Sequence, residues 1–430
     1  MTKEPIGVVG AGWVGLVTAT CFAELGHSVV AVDIDSAKIE ALRRGEVPMH
    51  EPGIDELLAR NGERLTFTSE IGDALEAARL LFVCVDTPPT YSGDADLSRV
   101  QAVVATLGED GEHALVMKST VPAGTGHAIR RDLPDVAYVS CPEFLKEGTA
   151  IEDFMHPDRV VIGADPGDEW AGDAVAAVYE PLGGEMVRID VASAEMVKLA
   201  SNAFLATKIS FINEIANVSE EVGADVAEVA RGMGLDERIG SAFLKAGIGY
   251  GGSCFPKDVS SLKQLAGNTG YHFQLLTAVI EVNELQKRRV LKKLERQLGS
   301  LAGRKVALLG LAFKPDTDDM REASSLVLAS RLKGEGATVR GYDPVAEKPA
   351  RELLPDVEFC ESVEEALDGA DAAILVTEWP EFAEIDWASL RDRMATPLVI
   401  DGRNFLDPAV LQEAGFTYEG IGRASTTERR

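Results

Sequence analysis

The chain of 430 residues has few of the features that mark disulfide-bonded, metal-binding or membrane-spanning proteins. Its five cysteines and six histidines are scattered, without CxxC pairs or histidine clusters, which argues against a disulfide framework or a structural zinc site. Cys21, Cys84 and Cys360 are predicted to be packing residues. No apolar run approaches a membrane span, and Met1-Thr-Lys-Glu-Pro leads directly into a strand pattern, so no signal peptide is expected. We therefore expect a soluble protein of the reducing cytoplasm, with no metal ion and no membrane partner.

Positive charge is also scarce, since 42 lysines and arginines face 70 aspartates and glutamates, for a formal net charge of −28. Such a surface repels nucleic acid and anionic membranes, so neither is an expected partner. Any anionic substrate must then be bound by cations concentrated in its site. The acid excess, with more arginine than lysine, favours adaptation to high salt, which screens self-repulsion. The alternative is an ordinary acidic cytoplasmic enzyme.

The order of apolar patterns predicts an α/β protein with two to three domains. Strand and helix patterns alternate in residues 1–192, long helical patterns fill 193–298, and the alternation restarts in 299–430. These segments predict two Rossmann-like, doubly wound parallel-sheet domains joined by a central helical region with a long connecting helix. Apolar spacing predicts that this long helix covers His272 to Leu298.

The first strand–helix unit carries a dinucleotide-binding pattern. Ile6–Val9 predicts a strand, Gly10–Gly15 a glycine-rich turn before a helix, and Val29–Val32 a second strand that ends on Asp33. Glycines allow close approach of the backbone, the helix N-terminus favours a pyrophosphate, and the acid suits ribose hydroxyls but repels a 2′-phosphate. The cofactor is therefore predicted to be NAD. The residues predicted to hold it from this unit are Gly10, Gly12, Val14, Gly15, Asp33 and Lys38.

Hydroxyl and carboxylate side chains follow the ends of three further apolar strand patterns. These patterns are Leu80–Val85, Ala114–Met117 and Tyr138–Cys141. Thr87, Thr120 and Glu147 come after them, and ligands bind outside the carboxyl ends of strands in open parallel sheets. If the strands are neighbours, these three side chains share one crevice and face the cofactor. Taken singly, each threonine would more often cap a turn.

The central region contributes a lysine–asparagine pair. Lys198 and Asn202 lie at positions i and i+4 of a helical pattern and so share one face. Their neighbours are apolar, which indicates that the pair faces something other than plain solvent. The alternative is a lysine that extends along the edge of a core.

The most reactive stretch is Gly249-Tyr-Gly-Gly-Ser-Cys-Phe-Pro-Lys-Asp258. Its glycines permit close approach to a ligand, and Pro256 suits the first turn of a helix. A thiol at a helix start beside Lys257 should lose its proton easily, and the thiolate is the nucleophilic form. Cys254 is therefore predicted to be a covalent nucleophile. Cys141, before a proline near the predicted crevice, is the one other thiol considered for reactivity.

The C-terminal region repeats the strand–helix alternation without a GxGxxG motif. After its first strand pattern, Lys305–Leu309, it offers Lys314 and Arg321. Both cations are candidates for binding phosphate or carboxylate groups in a chain that is otherwise acidic.

Taken together, these motifs resemble the UDP-glucose/GDP-mannose dehydrogenase family over nearly the full length of the chain. The motifs that carry the resemblance are Gly10–Gly15, Pro142–Gly148, Ile151–Arg159, Lys198 with Asn202, Gly251–Asp258 and Phe313–Arg321. Members of this family oxidise a nucleotide-sugar alcohol to a uronic acid with two NAD. The resemblance implies an NAD-binding domain in 1–192, a dimerisation and catalytic region in 193–298 and a UDP-sugar-binding domain in 299–430.

The chemistry of the residues agrees with such a reaction. The cysteine thiolate would attack an aldehyde to form a thiohemiacetal, whose oxidation gives a thioester. The lysine and the asparagine would stabilise developing oxyanions, while the threonine and two carboxylates would activate the hydrolytic water. The predicted catalytic residues are Cys254, Lys198, Asn202, Thr120, Glu147 and Asp258.

The resemblance also implies residues for substrate and cofactor binding. Lys257 and Arg321 match positions near a second NAD contact, and Arg238 matches an arginine that reaches the site of a neighbouring subunit. A homodimer, or a higher oligomer, is therefore expected. The residues implied to contact the UDP-sugar, together with Lys198, Asn202 and Arg238, are Phe144, Leu145, Lys146, Glu147, Phe243, Leu244, Lys245, Ala246, Gly247, Gly251 and Lys314.

Three alternatives remain at this point. The Phe-Leu-Lys-Glu and Pro-Asp-Arg segments resemble the UDP-glucose branch, but GDP-mannose or a UDP-N-acetylhexosamine could be the substrate. A one-step hydroxyacid dehydrogenase of the 6-phosphogluconate type would share the layout and need no cysteine. A catalytically silent NAD-binding sensor would share the glycine turn, although the intact Lys198, Asn202, Cys254 and Asp258 argue against it.

Overall fold

The computed structural model describes residues 3–107 and 112–423. Contacts within the chain divide it into two compact units. The first unit consists of Met1–Ser201 with Ser260–His272, and the second of Asn202–Val259 with Phe273–Arg430. The predicted division at 1–192, 193–298 and 299–430 stays a prediction.

In the described part of the first unit, eight strands form one sheet. The strands are β1 (Ile6–Val9), β2 (Val29–Val32), β3 (Leu65–Thr68), β4 (Leu80–Val83), β5 (Ala114–Met117), β6 (Ala137–Ser140), β7 (Arg159–Ala164) and β8 (Glu185–Ile189). Their order is β3-β2-β1-β4-β5-β6-β7-β8. The first six are parallel, whereas β7 pairs antiparallel with β6 and parallel with β8. The antiparallel edge is an addition to the predicted parallel sheet.

Helices cover both faces of this sheet. They are α1 (Trp13–Glu24), α2 (Ser36–Arg43), α3 (Ile54–Asn61), α4 (Ile71–Ala77), α5 (Ser98–Val104), α6 (Thr125–Asp132), α7 (Ala150–Met155) and α8 (Glu169–Tyr179). Alternate residues of β4 enter separate apolar cores, with Phe82 in one and Leu81 in the other. Because both faces are covered, the strands read as continuous apolar runs, which is why β1, β2 and β5 have the predicted bounds.

The second unit combines helices with a six-stranded parallel sheet in its described part. The helices from the centre of the chain onward are α9 (Val191–Val222), α10 (Val226–Gly234), α11 (Phe255–Asn268), α12 (Gln274–Gln286), α13 (Arg289–Leu298), α14 (Ser324–Gly334), α15 (Glu347–Leu353), α16 (Val363–Leu367), α17 (Trp387–Leu390) and α18 (Pro408–Glu413). The strands are β9 (Lys305–Leu309), β10 (Thr338–Tyr342), β11 (Glu358–Phe359), β12 (Ala372–Leu375), β13 (Leu398–Asp401) and β14 (Thr417–Gly420). Their order, β11-β10-β9-β12-β13-β14, repeats that of the first six strands of the other sheet. Helices α9 and α11 contribute residues to both units.

The predicted fold class is confirmed, but the long helix is in a different place. It is α9, with 32 residues. The span from His272 to Leu298 was wrongly predicted as one helix, because it holds α12 and α13 separated by Lys287 and Arg288. The side chain of Gln286 donates to the Gly247 carbonyl, and Lys287 is 1% exposed and pairs with Glu284. The apolar spacing continues across this break and does not reveal it.

No helix in the described residues is both long enough and apolar enough to cross a membrane.

Candidate active site

The glycine turn after β1 is shaped by close backbone contacts. Gly10 has φ +99°, and a Cβ there would lie 2.9 Å from the backbone of Cys84. A Cβ on Gly15 would overlap the carbonyl oxygen of Gly10. Gly12, the N-cap of α1, differs because a Cβ there would meet no described atom within 4 Å. Gly10 and Gly15 are therefore required by the fold, whereas Gly12 leaves the start of the helix open to a ligand.

Asp33 follows β2 and connects to this turn. Its Oδ2 accepts hydrogen bonds from the Ala11 N–H at 2.9 Å and from Lys38 Nζ at 2.8 Å, and its Oδ1 accepts the Asp35 N–H. Burial raises the pKa of Asp33, but these donors together hold it below its ordinary value. The carboxylate is therefore ionised, as recognition of ribose hydroxyls and repulsion of a 2′-phosphate require. The turn and this acid fit NAD.

The loops after β4 and β5 meet. Since these strands are neighbours in the sheet, their carboxyl ends lie at one edge. The Thr87 hydroxyl donates to the Thr120 carbonyl at 2.8 Å, and the Ser119 hydroxyl donates to the Val85 carbonyl at 2.6 Å. The structure thus brings Thr87 and Thr120 together. Glu147 lies half-buried in the loop after β6.

A buried ion pair joins the β6 loop to α9. Lys198 Nζ donates to Glu143 Oε1 at 2.7 Å, and both side chains are 5% exposed. Burial would raise the pKa of Glu143, but Lys198, the Leu145 N–H and Lys118 outweigh it and lower the pKa, so the carboxylate is charged. Sequence reasoning missed Glu143. Its signal was an acid three residues after the end of β6, inside the Pro142–Gly148 motif.

Asn202, one helical turn beyond Lys198 on α9, binds a different acid. Asn202 Nδ2 donates to Asp258 Oδ2 at 2.6 Å, and Lys257 Nζ donates to Asp258 Oδ1 at 2.6 Å. Asp258 is 1% exposed. Both of its oxygens therefore accept hydrogen bonds, an arrangement that holds the asparagine and the lysine in place.

Cys254 is the N-cap of α11, since its carbonyl accepts the first helical hydrogen bond from the Asp258 N–H at 2.8 Å. It is the exposed cysteine of the five, and its Sγ lies 3.5 Å from the Ser253 hydroxyl. The other thiols are buried. Burial raises the pKa of both Cys21 and Cys84 to about 12 and raises the pKa of Cys141, which argues against reactivity there.

The segment before Cys254 rests on buried amide side chains that sequence reasoning missed. Asn283 accepts the Tyr250 N–H at 2.8 Å and donates to the Tyr250 carbonyl at 3.0 Å. Asn213 accepts the Gly247 N–H at 2.9 Å, and Gln286 donates to the Gly247 carbonyl at 3.0 Å. A Cβ on Gly249 would lie 2.6 Å from Asn283 Oδ1. The detectable signal was polar residues on otherwise apolar helix faces.

The loop between β9 and α14 packs against the same segment. The Gly252 N–H donates to the Arg321 carbonyl at 2.9 Å, and a Cβ on Gly251 would overlap the Glu322 carbonyl. Lys314 Nζ lies 5.5 Å from the centre of the Phe313 ring, which itself contacts Gly252. Within the second unit, the structure thus brings the Lys314–Arg321 loop to the cysteine segment.

The predicted substrate residues differ in exposure. In the first unit, Phe144 stacks under Arg159 at 3.8 Å, and Lys146 pairs with Asp153 at 2.8 Å. In the second unit, Phe243 has φ +64°, a left-handed conformation that few non-glycine residues adopt. The remaining members divide into the buried Leu244, Ala246, Gly247 and Gly251, the half-buried Leu145 and the exposed Lys245.

Arg238 is 88% exposed and pairs with Asp236 at 2.6 Å. Its predicted reach to a neighbouring subunit stays a prediction. In the described residues, no group of three or more His, Cys, Asp or Glu is placed to hold a metal ion.

Comparison with known proteins places this geometry in a family. The NAD binding domain of the UDP-glucose/GDP-mannose dehydrogenase family matches residues 4–183, its central domain 192–285 and its UDP binding domain 307–408. The chain belongs to this family. The expected resemblance and the NAD cofactor are thereby confirmed.

Individual relatives match over nearly their whole length. UDP-glucose 6-dehydrogenase TuaD of Bacillus subtilis is 45% identical, with 98% of this chain and 93% of that protein covered. UDP-glucose 6-dehydrogenase AglM of Haloferax volcanii is 42% identical, with coverage of 97% and 99%. The structure of a UDP-glucose dehydrogenase from Pyrobaculum islandicum superposes with a TM-score of 0.91 at 39% identity, covering 98% of this chain and 99% of that one.

Proposed function

We propose that this chain is an NAD-dependent UDP-glucose 6-dehydrogenase that takes the primary alcohol of its substrate to the carboxylate in two oxidations. The observation that carries the proposal is Cys254, an exposed thiol at the start of α11, while the other four thiols are buried. A one-step hydroxyacid dehydrogenase needs no such group. Family membership and the names of the relatives support UDP-glucose as the substrate, ahead of GDP-mannose or a UDP-N-acetylhexosamine.

The reaction balances with one water and two NAD for each sugar. NAD, when bound, accepts the hydride released in each oxidation. The Cys254 thiolate adds to the aldehyde carbon, forming a C–S bond, and oxidation of that thiohemiacetal gives a thioester. Water then adds to the thioester carbon, the C–S bond breaks, and the products are the carboxylate and the thiol. Without the C–S bond, the aldehyde would have to be hydrated before it could be oxidised again.

The polar side chains have distinct roles in this scheme. Lys198 stabilises negative charge that develops on oxygen during the reaction, and the ionised Glu143 holds its ammonium group in place. Asn202, which Asp258 orients, has the same kind of role. Because both oxygens of Asp258 already accept hydrogen bonds, its role is to position groups, and Glu147 with Thr120 serves the hydrolytic water.

We also propose that the chain acts as a homodimer through α9. Phe204, Phe211 and Val218 lie seven residues apart on this helix and are each about half exposed or more, at 66%, 49% and 58%. An apolar stripe of this length on a soluble helix is typical of an interface between subunits. Light scattering during gel filtration should give twice the mass of the chain, 46.0 kDa. A monomeric mass would contradict the dimer and the role of Arg238.

The test of the function is the yield of NADH and of acid from UDP-glucose. The wild-type protein should form two NADH and one UDP-glucuronate for each UDP-glucose. Cys254→Ala should form no acid, whereas Cys360→Ala, which changes a buried thiol of the same unit, should retain the yield. One NADH per sugar would overturn the thioester route, and acid production by Cys254→Ala would overturn the nucleophile.

A further inference from the structure

A buried carboxylate outside the predicted site joins two of its segments. Glu51, between α2 and α3, is 3% exposed. Its Oε2 accepts hydrogen bonds from Trp13 Nε1 at 3.0 Å and from the Gly148 N–H at 2.8 Å, and its Oε1 accepts the Ala150 N–H at 2.9 Å. A carboxylate held in a protein interior by three neutral donors is costly unless each donor is fixed in place.

The donors belong to the two segments on which ligand binding is predicted. Trp13 is the first residue of α1 and lies between Gly12 and Gly15 of the dinucleotide turn. Gly148 immediately follows Glu147, and Ala150 is the first residue of α7. These donors come from positions 38, 97 and 99 residues away from Glu51 in the chain. One carboxylate thus holds both segments at a fixed separation.

Glu51 also accepts a hydrogen bond at the point where the loop after β6 ends and α7 begins. The N-cap of α7 is Thr149, whose side chain makes no capping hydrogen bond. The Ala150 N–H, one of the first-turn donors that lack a helical acceptor, bonds to Glu51 instead. Gly148 has φ +83°, so the chain turns sharply between Glu147 and the helix. Glu51 therefore fixes the turn that directly follows Glu147.

We propose that Glu51 is a positioning residue that sets the geometry of the dinucleotide turn and of the substrate loop together. The substrate half of this inference rests on the proposed function. In metal sites, groups that orient the ligating residues change affinity about 10- to 100-fold when they are replaced, although they touch no ligand, and we expect an effect of that order here. A single substitution at Glu51 should therefore weaken the binding of both ligands.

Glu51→Gln separates hydrogen bonding from packing. The amide has nearly the volume of the carboxylate but offers one acceptor oxygen in place of two. Since Trp13 and Gly148 share one oxygen and Ala150 uses the other, an amide NH₂ must face an N–H donor on one side. Trp13→Phe removes one donor and keeps the carboxylate. Asp168→Asn is a matched control, because Asp168 is 3% exposed in the same unit and accepts the Tyr138 N–H.

The experiment measures equilibrium binding of NADH by fluorescence and of UDP-glucose by calorimetry, with the melting temperature of each variant. Glu51→Gln should raise both dissociation constants about tenfold or more. Trp13→Phe should raise the dissociation constant for NADH and leave the dissociation constant for UDP-glucose within about twofold. When Trp13→Phe is combined with Glu51→Gln, NADH binding should be no weaker than in Glu51→Gln alone. Asp168→Asn should lower the melting temperature and change neither constant.

A lowered melting temperature with both constants unchanged would show that Glu51 is merely structural, and a change for one ligand alone would show that it serves one segment. If Glu51→Gln does not fold, Trp13→Phe decides, because unchanged NADH binding in that variant overturns the inference. The dissociation constants are measured at equilibrium without turnover, so they do not depend on the course of the reaction. A wild-type yield of one NADH per sugar would therefore refute the proposed function and leave the result on Glu51 intact.

Discussion

The two sheets share a backbone design but use it differently. Both have the order in which the first strand lies between the second and the fourth, and both place a positive-φ glycine after the first strand, Gly10 at +99° and Gly310 at +85°. Each glycine N–H donates to the carbonyl of the last residue of the second strand, Val32 or Tyr342. An acid follows each second strand at the same place, Asp33 in one and Asp343 in the other. The backbone around these two glycines therefore does not distinguish the roles of the two acids.

The acids differ in what they bind. The Asp33 side chain is 10% exposed and accepts two backbone N–H groups together with Lys38, whose own side chain is 26% exposed. Asp343 is 4% exposed and accepts five donors from protein groups: the N–H groups of Leu311, Ala312, Val345 and Ala346 and the indole N–H of Trp379. The turns differ too, because α1 begins directly after Gly12, whereas α14 begins only at Ser324. The same position thus holds a predicted cofactor-binding acid in the first sheet and an acid bonded throughout to protein groups in the second.

The largest effect is expected when each acid is removed. Asp343→Ala leaves several buried N–H groups without an acceptor and should lower the free energy of unfolding by roughly 3 kcal/mol or more. Asp33→Ala removes an acceptor of two backbone N–H groups and of the partly exposed Lys38, so it should cost less, about 1 to 2 kcal/mol. Urea denaturation of both variants measures the difference. An equal loss of stability would break the contrast between a structural acid and a ligand-binding acid.

The next largest effect concerns the choice of cofactor. Replacing Asp33 by Ala removes the charge that opposes a 2′-phosphate, so the ratio of kcat/KM for NAD to that for NADP should fall roughly a hundredfold. Asp35→Asn is the control, since asparagine caps α2 as well as aspartate does and should keep the ratio. Retained selectivity in Asp33→Ala would mean that another group rejects NADP.

A smaller effect separates the two glycine turns. Gly12→Ala adds a methyl group where the fold has room, so NADH affinity should fall about tenfold while the melting temperature stays constant. Gly310→Ala should lower the melting temperature and leave NADH affinity unchanged, because its Cβ would overlap the Thr377 side chain. Gly72→Ala, another open position, should change neither quantity for the worse. A destabilised Gly12→Ala would show that this glycine, too, is demanded by packing.

The smallest effect is expected in the stability of the protein at low pH. Because the pKa of Asp33 is held below its ordinary value, its contribution to stability is complete above its unfolded pKa and is lost as the pH falls through the folded pKa. The wild-type melting temperature should therefore decline more steeply than that of Asp33→Asn between about pH 5 and about pH 2. Parallel declines would mean that the hydrogen bonds of Asp33 do not favour its charged form.

Much of the fold could be predicted because its signals are local. The apolar runs of β1, β5 and β9 were placed to the residue, since strands buried on both faces need continuous apolar side chains. The antiparallel pairing of β7 with β6 could not be predicted, because an apolar run does not indicate the direction of a strand. The end of α12 was missed for a similar reason. Gln286, the last residue of α12, bonds to a loop 39 residues away, a contact that apolar spacing does not reveal.

In the candidate site, too, features set by adjacent residues could be predicted and pairings between distant residues could not. The glycine turn, the acid after β2 and the thiol before Pro256 were visible because each depends on a few adjacent residues. The pairing of Lys198 with Glu143 joins residues 55 apart, and that of Asn202 with Asp258 joins residues 56 apart. Spacing on one helix placed Lys198 and Asn202 on the same face but gave no hint that each binds its own carboxylate.

By itself, the sequence determined the family and the cofactor and singled out Cys254 as a candidate nucleophile, because backbone freedom at glycine and the reactivity of a thiol are properties of the residues themselves. Only the tertiary structure decided which hydrogen-bond donors each buried acid accepts. Asp33, Glu51 and Asp343 are chemically alike. Their donors come from residues distant in the chain, and burial with those donors fixes the charge, the orientation and hence the role of each carboxylate.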